Sequence, residues 1–159
     1  MATMTTIDVR EPQSVLSTRQ TVPIADLTRA QGASLHELWR FLRERGLSPS
    51  GPPFVRYHTF GDVETDVEVG VPVGDAVTGA GRISSGELPG GRAITTVHLG
   101  AHDRLGDAYD RLQARLAMHG RAAGPGWEVY EWIDLTREPD PSSWPAPADW
   151  RTQLVQPIT

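Results

Sequence analysis

Glu128 is the residue in this sequence with the most chemistry to offer. It stands in the run Trp127-Glu128-Val129-Tyr130-Glu131-Trp132. Alternate residues of a strand share a face, so Glu128, Tyr130 and Trp132 point the same way. A carboxylate flanked by aromatic rings suits a cationic or polarised ligand, because charge and ring faces both attract it. Burial would lift its pKa and fit it for general acid or base work. The plain alternative is an exposed strand glutamate. Glu68 is the second candidate acid. It lies opposite the valine face of its own strand and points either to solvent or into a cleft. Tyr57 and Tyr130 hold matching places in two similar segments. Either both line one groove or both are ordinary packing residues. Trp39 lies on an apolar helix stripe, as core or as a wall of the site.

The remaining chemistry is thin. The five histidines lack metal-ligand spacing, and there is no cysteine. Thiolate metal sites, disulfides and a cysteine nucleophile are thereby excluded, and neither metal nor cofactor is expected. The serines lack a nucleophile elbow, and Gly74, Gly90 and Gly91 read as turn glycines rather than a phosphate loop. All 15 basic residues are arginines, dispersed along a chain of net charge −5. Direct nucleic-acid binding is therefore not expected. No stretch approaches the roughly 20 apolar residues that span a bilayer. The start has no signal-like pattern, so a cytoplasmic protein is expected.

The elements that must carry these residues follow from periodicity. Ile7 to Val22 reads as one or two strands around Pro12. Leu27, Leu35, Leu38, Trp39 and Leu42 give one apolar helix face over Ile24 to Arg45, with Gly46 as its stop and Gly32 as an interruption. Phe54–Phe60 and Val63–Val73 read as a hairpin, the second strand with a valine face. Arg82–Leu88 and Arg92–Leu99 form another. A second helix runs from about His102 or Asp103 to His119, with Asp103 as N-cap, Tyr109 in its apolar stripe and Gly120 as its stop. Trp127–Ile133 and Trp150–Ile158 are strands. Glu138–Ala148 loops over the surface. Phe54 and Trp127 are expected beneath the helices.

The order helix, glycine stop, Gly-Pro turn, strand, strand occurs twice. GPPFVRYHTF from Gly51 aligns without gaps to GPGWEVYEWI from Gly124. Tyr57 then matches Tyr130 and Val55 matches Glu128. Pro72 matches Pro157, and Glu68 matches Gln153. One domain over residues 1–159 is expected, with pseudo-repeats at about 6–73 and 82–158. The fold class is α+β: two helices on one face of a curved antiparallel sheet of about eight strands. The central groove is placed on the helix-free face, where the halves meet.

These segments, with DVEVGVPV, ELPGGRAITTVHLG, LGDAYDRLQARLAMHG and WRTQLVQPI, resemble the GyrI-like family. That small-molecule-binding domain is also the effector domain of regulators of the BmrR and AraC types. The resemblance covers roughly Thr6 to Ile158. It implies a groove lined by aromatics around an acid, and the family's glutamate falls on Glu128. Its His-Gly motif falls on His98 and Gly100. Where the family usually has a tyrosine next, this chain departs with Ala101-His102, and no role carries over from that tyrosine; His102 itself is a ligand-binding candidate. The function implied is binding of a small apolar organic molecule, neutral or cationic, for sensing or sequestration. Two alternatives come with the resemblance. One is hydrolysis of reactive small-molecule toxins, with Glu128 or Glu68 activating water. The other is a gyrase-inhibitor-like interaction module, with a second copy or a separate protein as partner.

Overall fold

A computed structural model describes residues 5–159. Strands β1 (Thr5–Arg10) and β2 (Gln13–Pro23) lead into helix α1 (Leu27–Arg45), followed by β3 (Phe54–Phe60) and β4 (Glu64–Pro72). Strands β5 (Ser84–Leu88) and β6 (Gly91–Leu99) lead into α2 (Leu105–His119), followed by β7 (Trp127–Tyr130) and β8 (Arg151–Pro157). All eight strands form one antiparallel sheet in the order β1-β6-β8-β7-β3-β4-β2-β5.

The two sides of the β3–β7 seam have the same layout. Outward from the seam run β3, β4, β2 and β5 on one side, and β7, β8, β6 and β1 on the other. The outermost strand of each side is exchanged. β1 pairs with β6, and β5 pairs with β2. At the seam Val55 stands opposite Glu128, with Phe54 opposite Val129 and Arg56 opposite Trp127. The matched residues Val55 and Glu128 therefore face each other on the pseudo-two-fold itself.

Helix α1 ends at Gly46, whose φ of 63° is left-handed. The Leu47 N–H then reaches back to the Leu42 carbonyl, closing the helix end. Gly32 does not interrupt this helix, which runs unbroken through it. The Asp103 side chain makes no cap; a short turn of tighter helix over His102–Arg104 begins the second helix instead. Both helices cover the same sheet face. α1 buries Leu35, Leu38 and Leu42 against Val67, Val69 and Val71 of β4. α2 buries Ala108 and Leu112 against Ile94 of β6 and Leu154 of β8.

Phe54 and Trp127 do not lie beneath the helices. Strand alternation turns them to the other face, where they pack with Val15, Leu88, Ala93 and Val155. The Phe54 ring lies directly over Gly70. A methyl group there would overlap that ring and come within 2.9 Å of the Leu16 carbonyl. Gly70→Ala is therefore expected to cost about 1–3 kcal/mol, read from the urea midpoint.

β7 is shorter than periodicity predicts, ending at Tyr130 rather than Ile133. The chain turns at Glu131-Trp132, and the Ile133 N–H bonds to the Tyr130 carbonyl. The loop after it is only partly superficial, because Ile133 and Leu135 are buried in the α1 core.

Candidate functional site

The cavity that holds Glu128 lies on the helix-covered face, not on the helix-free one, where a separate cavity of about 520 Å³ beside Phe54 and Trp127 lacks the acid. Strand register requires this. Val55, Glu128 and Leu154 are successive cross-strand neighbours, and Leu154 packs under α2. The N-terminal parts of the two helices part above the seam and leave a cavity of about 610 Å³. Thr28 and Gln31 line it from α1, and Leu105, Gly106 and Tyr109 from α2. Glu128, Tyr57 and Tyr130 form its floor.

Glu128 is 4% exposed. The Tyr130 hydroxyl donates to its Oε1 at 2.7 Å, and the Tyr109 hydroxyl donates to Oε2. Gln31 Nε2 donates to the Tyr57 hydroxyl at 3.0 Å. No arginine is among the lining residues, and the chain has no lysine. Burial holds the Glu128 carboxyl above the usual carboxylate range, and the two tyrosine hydroxyls pull only part of the way back. Burial and then the Glu128 charge push Tyr57 up to about 12. The same two causes raise Tyr109 and Tyr130. The site is therefore a buried acid with hydroxyl donors and no counter-charge of its own.

A pH dependence follows. A carboxyl whose folded pKa is raised adds stability that is full below its unfolded value and is lost as pH rises through the folded one. The ordinary value is 4.5. Urea stability of the unliganded protein, followed upward from that pH, should fall through the Glu128 transition. Tyr109→Phe removes one donor to the carboxylate and should move that fall to higher pH. A transition unmoved by the substitution would uncouple Tyr109 from Glu128.

His102 sits at the groove edge with its Nε2 2.8 Å from Thr152 Oγ1. Burial first, and His98 second, hold it below its ordinary pKa. Beyond it lies an aromatic cluster. Trp132 and Trp150 stack at 4.5 Å with planes 1° apart, and Tyr130 stacks on Trp132 at 5.1 Å. His102 meets the edges of both tryptophans at 5.4 Å. The stack closes the β7–β8 loop, next to Arg151, whose Nη1 donates to both carboxylate oxygens of Glu131 at 2.6 and 2.7 Å.

Of the residues singled out from sequence, Glu128, Tyr130, Tyr57 and His102 come together at this cavity. Glu68 and Trp39 do not. Glu68 faces the opposite side of the sheet, accepting from Ser17 Oγ at 2.6 Å and pairing with His58 at 2.8 Å. Trp39 packs at the rim of the α1 core under the Arg43 guanidinium. Tyr109 and Gln31 were missed as site residues. Tyr109 fits an apolar helix stripe, and only the depth of the groove turns its hydroxyl onto Glu128. No group of three or more His, Asp or Glu with metal-binding geometry occurs among the described residues. No helix there is long and apolar enough to cross a membrane.

A family model described as the GyrI-like small molecule binding domain matches residues 4–143. No curated protein matches the chain significantly. Among solved structures, the C-terminal domain of EcmrR superposes with a TM-score of 0.74 at 23% identity, over 100% of this chain and 99% of that one. EcmrR bound to DNA superposes at 0.76 with 21% identity, over 98% of this chain, which spans 57% of the EcmrR chain. The hydrolase encoded by lin2189 from Listeria innocua superposes at 0.67 with 11% identity, over 98% of this chain and 91% of that one. SAV2435 bound to tetraphenylphosphonium superposes at 0.55 with 10% identity, over 100% of this chain and 94% of that one. At such identities the likeness shows the fold.

Proposed function

Because the chain belongs to the GyrI-like small molecule binding domain family, we propose that its groove binds a small, largely apolar organic cation. The observation that carries this reading is Glu128: a buried carboxyl, capped by two hydroxyls, in a cavity lined by no arginine or lysine. A buried charge left unpaired is costly, and a cation entering the groove relieves that cost. Tyr57, Tyr109 and Tyr130 add ring faces that attract the same cation. The volume of about 610 Å³ lies in the range of roughly 300–1,000 Å³ usual for small-molecule sites. Tetraphenylphosphonium, the ligand of SAV2435, is a suitable probe. The likeness to EcmrR supports a role as an effector-binding domain.

Isothermal titration is the test. Tetraphenylphosphonium should bind the folded protein at least about tenfold tighter than its uncharged analogue triphenylphosphine oxide. Equal affinities would remove the charge from the argument. No binding of any organic cation would overturn the reading.

A further inference from the structure

We infer that the ligand is two-lobed: the groove has a second, uncharged chamber related to the first by the pseudo-two-fold, and one molecule fills both. The inference rests on the cation-binding reading for the first lobe and adds the second. The second chamber measures about 380 Å³. It lies over β3 and β4 under α1, as the first lies over β7 and β8 under α2.

The correspondence holds residue by residue. Counting back from the helix-end glycines Gly46 and Gly120, Gly32 of the second chamber matches Gly106 of the first. By the same count Leu35 matches Tyr109. On the strands, Val55 matches Glu128, Val69 matches Leu154, and Tyr130 matches Tyr57. The acid and one of its two hydroxyl donors, Tyr109, are thus replaced by hydrocarbon in the second. No carboxylate lines it.

The second chamber has instead a wall of Trp132, Trp144 and Trp150. Flat, rigid faces of this kind favour a flat apolar ring system. The chambers adjoin, since Thr28, Gln31, His102 and Tyr130 line both. Tyr130 is the partition. Its hydroxyl serves Glu128 while its ring stacks on Trp132. The ligand class that matches is a fused aromatic ring joined by a short spacer to an ammonium or phosphonium head.

The matched glycines give the test. A Cβ at Gly32 or at Gly106 meets nothing within 4 Å, and each glycine lines its own chamber, so a larger side chain there is the means to block it. Both lie inside helices, where glycine is a poor former and its replacement is tolerated. Three probes are titrated calorimetrically: phenyltrimethylammonium, 2-naphthol, and trimethyl-2-(2-naphthyl)ethylammonium, which joins a naphthyl ring to a trimethylammonium head. The joined probe should bind wild type at least about tenfold tighter than either fragment.

Gly32→Phe should weaken 2-naphthol at least about tenfold and leave phenyltrimethylammonium within about twofold. Gly106→Phe should do the reverse. Gly32→Leu serves if the larger residue disturbs the helix by circular dichroism. A joined probe no tighter than its fragments, or 2-naphthol unaffected at Gly32, overturns the inference. If phenyltrimethylammonium binds and depends on Glu128 while 2-naphthol does not bind, only the second lobe falls. If no probe binds, the cation reading falls as well.

Discussion

Glu128→Gln will weaken tetraphenylphosphonium binding roughly 30-fold or more, the loss usual when one partner of a buried charge pair is removed. The substitution keeps the size of the side chain. It also keeps hydrogen-bonding groups toward the Tyr109 and Tyr130 hydroxyls, which can accept as well as donate. What disappears is the charge. The uncharged analogue triphenylphosphine oxide should bind wild type and variant alike, which separates charge from shape. The unliganded variant should also be at least as stable as wild type well above pH 4.5, because it no longer carries a buried carboxylate. Titration calorimetry and urea unfolding read both effects. Unchanged affinity for the cation would exclude Glu128 as its acceptor, and lost stability would mean that the carboxylate has a structural partner.

Much of this was legible beforehand, for physical reasons. Helix ends and strand faces are written locally, in Gly46 and Gly120 and in the valines of β4. The matched Gly-Pro segments placed Tyr57 against Tyr130 and Val55 against Glu128. Alternation within a strand says which residues share a face, but not which face a distant helix will cover. Glu128 was accordingly expected in a groove on the helix-free face and Phe54 and Trp127 beneath the helices, each the reverse of what is found. Glu68 matched no rule beyond lying opposite its valines, and that face carries Ser17 and His58. Tyr109 looked like a core residue because its ring is apolar. Its hydroxyl matters only once two helices have been set apart above the seam. Strand exchange left no local trace at all.

Phe54→Ala should cost about 3–5 kcal/mol, the range for removing a fully packed aromatic. Phe54 is 2% exposed and sits on the seam strand, beside the pseudo-two-fold. Its ring fills the space that Gly70 leaves open, so no neighbour can close the hole by a small shift. Small domains have a total stability of roughly 5–15 kcal/mol, so the loss takes a large share. Guanidinium unfolding at fixed slope measures it. A loss below about 1 kcal/mol would show that the helix-free face carries little of the fold. Phe54 lies on the face opposite Glu128, so ligand affinity of the remaining folded protein should change little.

The exchanged edge strands set a timetable for the chain as it is made. Thr5 pairs with Thr96, 91 residues later. At roughly 5–20 residues per second on a ribosome, β1 waits on the order of 5–20 seconds for its neighbour. The last strand to emerge, β8, belongs in the sheet interior between β6 and β7. The side built of β3, β4, β2 and β5 has all its strands once Leu88 is made, whereas the other needs β1 from the start of the chain and β8 from its end. The nascent chain must hold β1 unpaired until β6 emerges, and must keep the facing edges of β6 and β7 open until β8 fills the slot between them, so unpaired strand edges are exposed through most of synthesis.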